Sequence, residues 1–170
     1  MTRTMLFGLV LVMLSAVAGA QDLSSQRDYS DPVQRDRPIA CKPGDRESFA
    51  GKTLGEVFGD AWPAQPVVSS PDAHAGASMI EAGPMRWPRG LDPQDSLTVM
   101  AVLVGSDGAP LRAEILCSTR MGFDAAVRRN AMASTYAPAV VNGMPVTSVL
   151  VRVVRFNAVA RPPSGKPRRN

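Results

Sequence analysis

Histidine is nearly missing from this chain of 170 residues, where it occurs once, at His74. Cysteine occurs twice, at Cys41 and Cys117, and aromatic residues make up 5% of the chain. Each scarcity removes a class of function. His74 lies in a stretch rich in Pro, Ser, Ala and Gly, with no Cys or acidic cluster at ligand spacing, which argues against a metal centre. Beyond Arg86, where the sequence reads as folded, there is no histidine at all, so the common general base and any Ser–His or Cys–His pairing are lacking. The carboxylates there, Asp92, Asp95, Asp107, Glu114 and Asp124, fall in a loop, a turn, a strand and a helix start, where structural roles account for each. Gly105-Ser106-Asp107-Gly108 leads into a strand and not a helix, so it cradles no phosphate. The expectation is a non-enzymatic protein with no cofactor and no metal. Few aromatics beside the basic residues speak against nucleic acid as a partner.

Long apolar runs are scarce as well. One run, from Met5 to about Val17, follows Arg3 and precedes Ala18-Gly19-Ala20. A charged start, a short apolar middle and small residues at the cut form an export signal. The run is shorter than the roughly 20 apolar residues a membrane-spanning helix needs. Cleavage after Ala20 and a periplasmic location are expected, with retention as an inner-membrane anchor the alternative. The net charge of +4 is also local. Arg3 and the tail residues Arg161, Lys166, Arg168 and Arg169 account for five of the 19 basic side chains, leaving 14 against 15 acidic ones between them. Residues 158–170 read as a disordered basic tail, either merely solvated or in weak contact with anionic envelope components.

An exported chain with an even cysteine count permits a disulfide between Cys41 and Cys117. If it forms, it closes a loop of roughly 75 residues, for which chain entropy gives about 4 kcal/mol. The alternative is two free thiols, with Cys117 half buried on a strand.

Along the chain, residues 21–85 read as largely irregular. A short helix is expected near 47–61, where Leu54, Val57, Phe58 and Ala61 share a face. Gly51, Gly55 and Gly59 weaken it, at about 1 kcal/mol for each glycine in a helix interior. Ser96–Val104 is apolar on both alternating faces, as in a strand covered on both sides. It turns at Gly105–Gly108 into a second strand, Leu111–Cys117, with Leu111, Ala113 and Ile115 on one face and Arg112, Glu114 and Leu116 on the other. Phe123, Ala126, Val127, Asn130 and Ala131 form one helical stripe, with Arg128 and Arg129 pointing away. An Asn142-Gly143 turn precedes a last strand, Val146–Phe156. The order strand, strand, helix, strand predicts an α+β fold of two layers, one helix on a three-stranded antiparallel sheet, occupying residues 86–157.

The residues from Arg86 to Phe156 resemble the TonB carboxy-terminal domain family of Gram-negative envelopes. The resemblance rests on an ordered set: Trp87-Pro88 at the start; Thr98, Met100, Val102 and Val104 up to Gly108; Ile115–Ser118; Phe123-Asp124 followed by Ala125-Ala126; Tyr136-Ala137-Pro138-Ala139; and Asn142-Gly143 with Pro145 leading to Phe156. It implies a domain that binds a protein partner, such as an outer-membrane receptor segment, by adding an extended segment to a sheet edge. Backbone N–H and C=O groups along an unpaired strand supply the bonds for such an addition. The candidate edge is the last strand, with Val149, Val151, Arg152, Val153, Arg155 and Phe156 as partner-binding residues. Arg152 and Arg155 would steer an acidic segment, or else guard the edge against aggregation. The same strand could pair with its own copy in a homodimer. Two alternatives stand beside this reading. One is a membrane-anchored energy transducer of the TonB type. From Gln21 to Pro84, however, a flexible coil spans about 45 Å, against roughly 200 Å for a polyproline rod. The other is a structural cell-envelope factor acting through the basic tail.

Overall fold

The computed structural model describes residues 26–28, 35–64, 66–70 and 73–158. The expected leader and most of the basic tail lie outside the described residues. The fold is mixed α+β, built on one antiparallel sheet.

Three long strands form the middle of that sheet: β5 (Ser96–Val104), β6 (Pro110–Ser118) and β10 (Ser148–Phe156). Their bounds agree with the sequence pattern to within two residues. Two short strands from the amino-terminal region extend the sheet, β1 (Gln26–Asp28) and β2 (Arg46–Glu47), giving the order β1-β10-β5-β6-β2. The sheet therefore has five strands where the sequence pattern predicts three. Strands of two and three residues carry no readable alternation, and partner strands far along the chain place them.

The helical stripe folds as predicted. Helix α2 (Asp124–Met132) buries Ala126, Val127, Asn130 and Ala131, with Phe123 at its N-cap. It covers β5 and β6 on one face, closing a core with Met100, Val102, Ala113, Ile115, Leu150, Val154 and Phe156. Trp87 closes one end of this core. Its ring meets Phe123 and Phe156 edge-on at 5.4 and 5.7 Å, and its Nε1 donates to the Leu91 carbonyl at 3.1 Å. Edge-to-face geometry sets the positive rim of one ring against the negative face of the next.

The opposite face departs from the two-layer expectation. Helix α1 (Leu54–Phe58), a 3-10 turn at Gly59–Ala61 and the arm around Ile39 lie across it. Leu54, Val57, Phe58 and Trp62 are buried there against Ala101, Leu103, Leu116 and Val149. Trp62 has no exposed surface, whereas Ala61, expected on the buried stripe, is exposed. Helix α1 is only five residues long, so packing and capping rather than length hold it. Thr53 Oγ1 accepts from Glu56 N at 3.2 Å, and Thr53 N donates to Glu56 Oε2 at 2.7 Å, a reciprocal cap that satisfies two orphan donors.

The stretch read as linker also pairs. Strand β3 (His74–Ala75) joins β8 (Ala139–Val141) and β9 (Met144–Val146), and β4 (Ser78–Glu81) joins β7 (Thr135–Ala137). Asn142 and Gly143 turn the β8–β9 hairpin with φ of 51° and 77°, the left-handed pair such a turn requires. Asn142 also clasps the preceding segment. Its Oδ1 accepts from Ser69 N and Oγ, and its Nδ2 donates to the Val67 carbonyl at 2.9 Å. Gly83 sits so close to α2 that a Cβ there would lie 2.7 Å from the Ala133 backbone carbonyl carbon. Its N–H donates to Ser134 Oγ at 2.9 Å.

Candidate functional site

The site is built on β10, whose nine residues alternate between the two cores. Leu150, Arg152, Val154 and Phe156 share the α2 face, and Val149, Val151, Val153 and Arg155 share the α1 face. On its inner side β10 pairs with β5 along its whole length, from Ser148 opposite Val104 to Phe156 opposite Ser96. On its outer side, among the described residues, it pairs with β1, with Gln26, Arg27 and Asp28 opposite Arg152, Val151 and Leu150. Val153–Phe156 have no strand partner on that side among the described residues.

The expected edge therefore needs correcting in its middle, where the protein's own amino-terminal segment already adds a strand. The candidate partner-binding residues also divide by burial. Arg152 is 1% exposed and lies in line with Leu150 and Val154, so it is no steering charge at the surface. Even alternation along β10 places it inward, and the alternation was readable in the sequence. Val149 and Phe156 are buried core residues, Val151 and Val153 are half-buried, and Arg155 is exposed.

Two grooves flank this edge on the sheet. One, of about 480 Å³, lies on the α1 face between the arm and the strands, with Ile39, Leu97, Val99, Leu116 and Val151 in its walls. The other, of about 540 Å³, lies at the end of the sheet and includes Ser96, Arg120, Arg155 and Asn157.

The wall of the first groove contains the Cys41–Cys117 disulfide. A β-bulge makes the bond possible. Val99 lies opposite Cys117 and Met100 opposite Ile115, so Leu116 is the extra residue in β6. Strict alternation would put Cys117 with Ile115 on the α2 face. The extra residue turns Leu116 and Cys117 both toward the α1 face, where Cys41 waits at a Cα distance of 5.7 Å. Two backbone ties reinforce the same contact, the β2–β6 ladder and Ser48 N donating to the Leu116 carbonyl at 3.0 Å, while Ile39 N donates to the Lys52 carbonyl at 2.8 Å within the arm.

The outer edge of β6 is guarded differently. Arg128 Nε donates to the Ala113 carbonyl at 3.0 Å, and Glu114 accepts from Arg112 Nε at 2.7 Å. Arg46 and Asp124 form an ion pair between β2 and the first turn of α2. Charged side chains thus occupy the rim of β6, while the far half of β10 carries the half-buried Val153 and the exposed Arg155 beside the buried Val154 and Phe156.

No protein-family model, curated protein or solved structure matches this chain. Among the described residues no group of three or more His, Cys, Asp or Glu converges, and no helix is long and apolar enough to cross a membrane. His74 lies in β3 opposite Val141. Sequence reasoning missed Trp62, the strands drawn from residues 26–47 and the end groove. The first had a signal, an aromatic closing an amphipathic run, and the others had none.

Proposed function

We propose that this protein is a non-enzymatic binding protein of the periplasm that captures an extended segment of a protein partner by strand addition to the outer edge of β10. The resemblance to the TonB carboxy-terminal domain family makes an outer-membrane receptor segment the partner of choice. The observation that carries the reading is that the outer side of β10 already accepts a short segment from far along the chain by strand pairing. Beside this nine-residue strand the described residues place Gln26, Arg27 and Asp28, which come from more than a hundred positions away and add by backbone pairing opposite Arg152, Val151 and Leu150. A row of backbone donors and acceptors there can bond a second segment, and main-chain bonds of this kind give affinity without enzyme chemistry. The Cys41–Cys117 disulfide suits an oxidising compartment, consistent with export.

The energy-transducer alternative loses support, because the stretch it needs as a spacer is largely engaged elsewhere. Residues 35–62 pack on the sheet, and residues 74–81 pair with β7 and β8.

The test places a photo-crosslinking residue at Val153 and, as a control, at the exposed Ile80 of β4, in a different sheet. Capture of the same envelope protein in intact cells from position 153 alone is expected. Val153→Pro should abolish it while the far-ultraviolet circular dichroism stays unchanged, since proline removes a ladder donor. Equal capture from both positions, or capture that survives the proline, overturns the reading.

A further inference from the structure

We infer that the groove between helix α2 and the segment before Trp87 is a docking seat for the headgroups of an anionic bilayer, with Arg86 and Arg129 as its contacts. The inference is independent of the strand-addition reading.

The groove, of about 350 Å³, is lined by Pro84, Arg86, Ala126, Arg129 and Ala133. Its shape follows from small residues. Ala126 and Ala133 stand three and four positions from Arg129 along one face of α2 and its C-cap, so their methyl groups form the floor. Gly83 lets the other wall come close, since a Cβ there would lie 2.7 Å from the Asn130 carbonyl oxygen. Two bonds lock that approach. Asn130, 2% exposed, donates from Nδ2 to the Gly83 carbonyl, and Gly83 N donates to Ser134 Oγ. The walls are therefore fixed before any ligand arrives.

Charge decides what the groove takes. Arg86 and Arg129 are exposed and neither guanidinium pairs with a described residue, whereas Arg46, Arg112, Arg120 and Arg128 are all engaged. Arg89, three residues on, is a further exposed cation without a described partner. Among the described residues no carboxylate lines the groove. The acidic residues nearest the two arginines in sequence, Glu81 and Asp124, lie in β4 and in the ion pair with Arg46. Two exposed ion pairs, each worth up to about fivefold, hold a free anion only weakly. A bilayer offers each guanidinium its own headgroup, at about fivefold for each basic residue near the surface, and takes up apolar side chains as well. Met132, one turn beyond Arg129, and Met85, between the two wall residues of the segment, are both 40% exposed and supply that apolar part.

Cosedimentation of the full oxidised protein with lipid vesicles is the test. The protein should partition onto phosphatidylglycerol in phosphatidylcholine and not onto phosphatidylcholine alone. Arg161, Lys166, Arg168 and Arg169 attract the same vesicles, so every variant keeps them and is read against Lys52→Gln, an equal loss of charge at an exposed residue of the arm. Arg86→Gln and Arg129→Gln should each weaken partitioning about fivefold beyond that control. Met132→Gln should weaken it with no change of charge. A nitroxide on the lipid headgroup should broaden the amide resonances of Ala126, Arg129 and Ala133 more than that of Lys52. Losses no larger than for Lys52→Gln, or stronger broadening at Lys52, overturn the seat. Release by inorganic phosphate beyond that by chloride at equal ionic strength overturns the bilayer in favour of a soluble phosphate ligand.

Discussion

Trp62 is the largest fully buried side chain and sits where the amino-terminal arm meets the sheet. The Arg35 guanidinium lies 5.0 Å from its ring centroid, a cation over the face of the ring. Trp62→Ala would open a cavity in the core that includes Leu103 and Val149 and should cost about 3–5 kcal/mol in urea denaturation. A loss under about 1 kcal/mol would mean that the arm contributes little to the folded state. Gly108 is fixed for a different reason. Its φ is 83°, and a Cβ there would collide with the Tyr136 carbonyl oxygen, so the first hairpin needs glycine both for its turn and for the close passage of β7. The turn was legible in Ser-Asp-Gly. The close passage was not, because it depends on a strand almost thirty positions away.

Strands β5 and β10 and helix α2 declare themselves in the sequence through period, and each of them was legible there almost to its ends. Long elements with a buried stripe repeat their signal several times. Strand β6 was legible in position but not in facing, since one bulge at Leu116 reverses Cys117 and leaves the composition unchanged. That reversal makes the disulfide an element-scale device, joining the arm to β6 across the α1-side core. Replacing both cysteines by serine should lower stability by about 4 kcal/mol, from the loss of a long loop closure. Matching thermal unfolding of the oxidised and reduced protein would refute this. Strand β10 was legible as a strand but not as one paired on both sides, because Gln26–Asp28 is polar, short and without pattern.

At the scale of the whole molecule, the stretch from Arg86 to Phe156 is not a complete folding unit. Without residues 35–62, Ala101, Leu103, Leu116 and Val149 would face water across one side of the sheet. Burying Leu54, Val57 and Phe58 contributes about 1.5–3 kcal/mol for each side chain, enough together to decide whether a small domain folds. A fragment beginning at Arg86 should aggregate or bind a hydrophobic dye, while one beginning at Arg35 should stay monomeric and folded by size exclusion. A soluble, cooperatively unfolding 86–158 fragment would contradict the two-core account. The amino-terminal region reaches both borders of the sheet, with β1 beside β10 and β2 beside β6. Synthesis runs in the opposite sense. The ribosome releases residues 26–62 first, yet everything they rest on is encoded between Ser96 and Phe156. The earliest-made part must wait as an open chain, with Cys41 a thiol, until the latest-made strand exists to receive it. With a single other cysteine in the sequence, it can close intramolecularly in only one way.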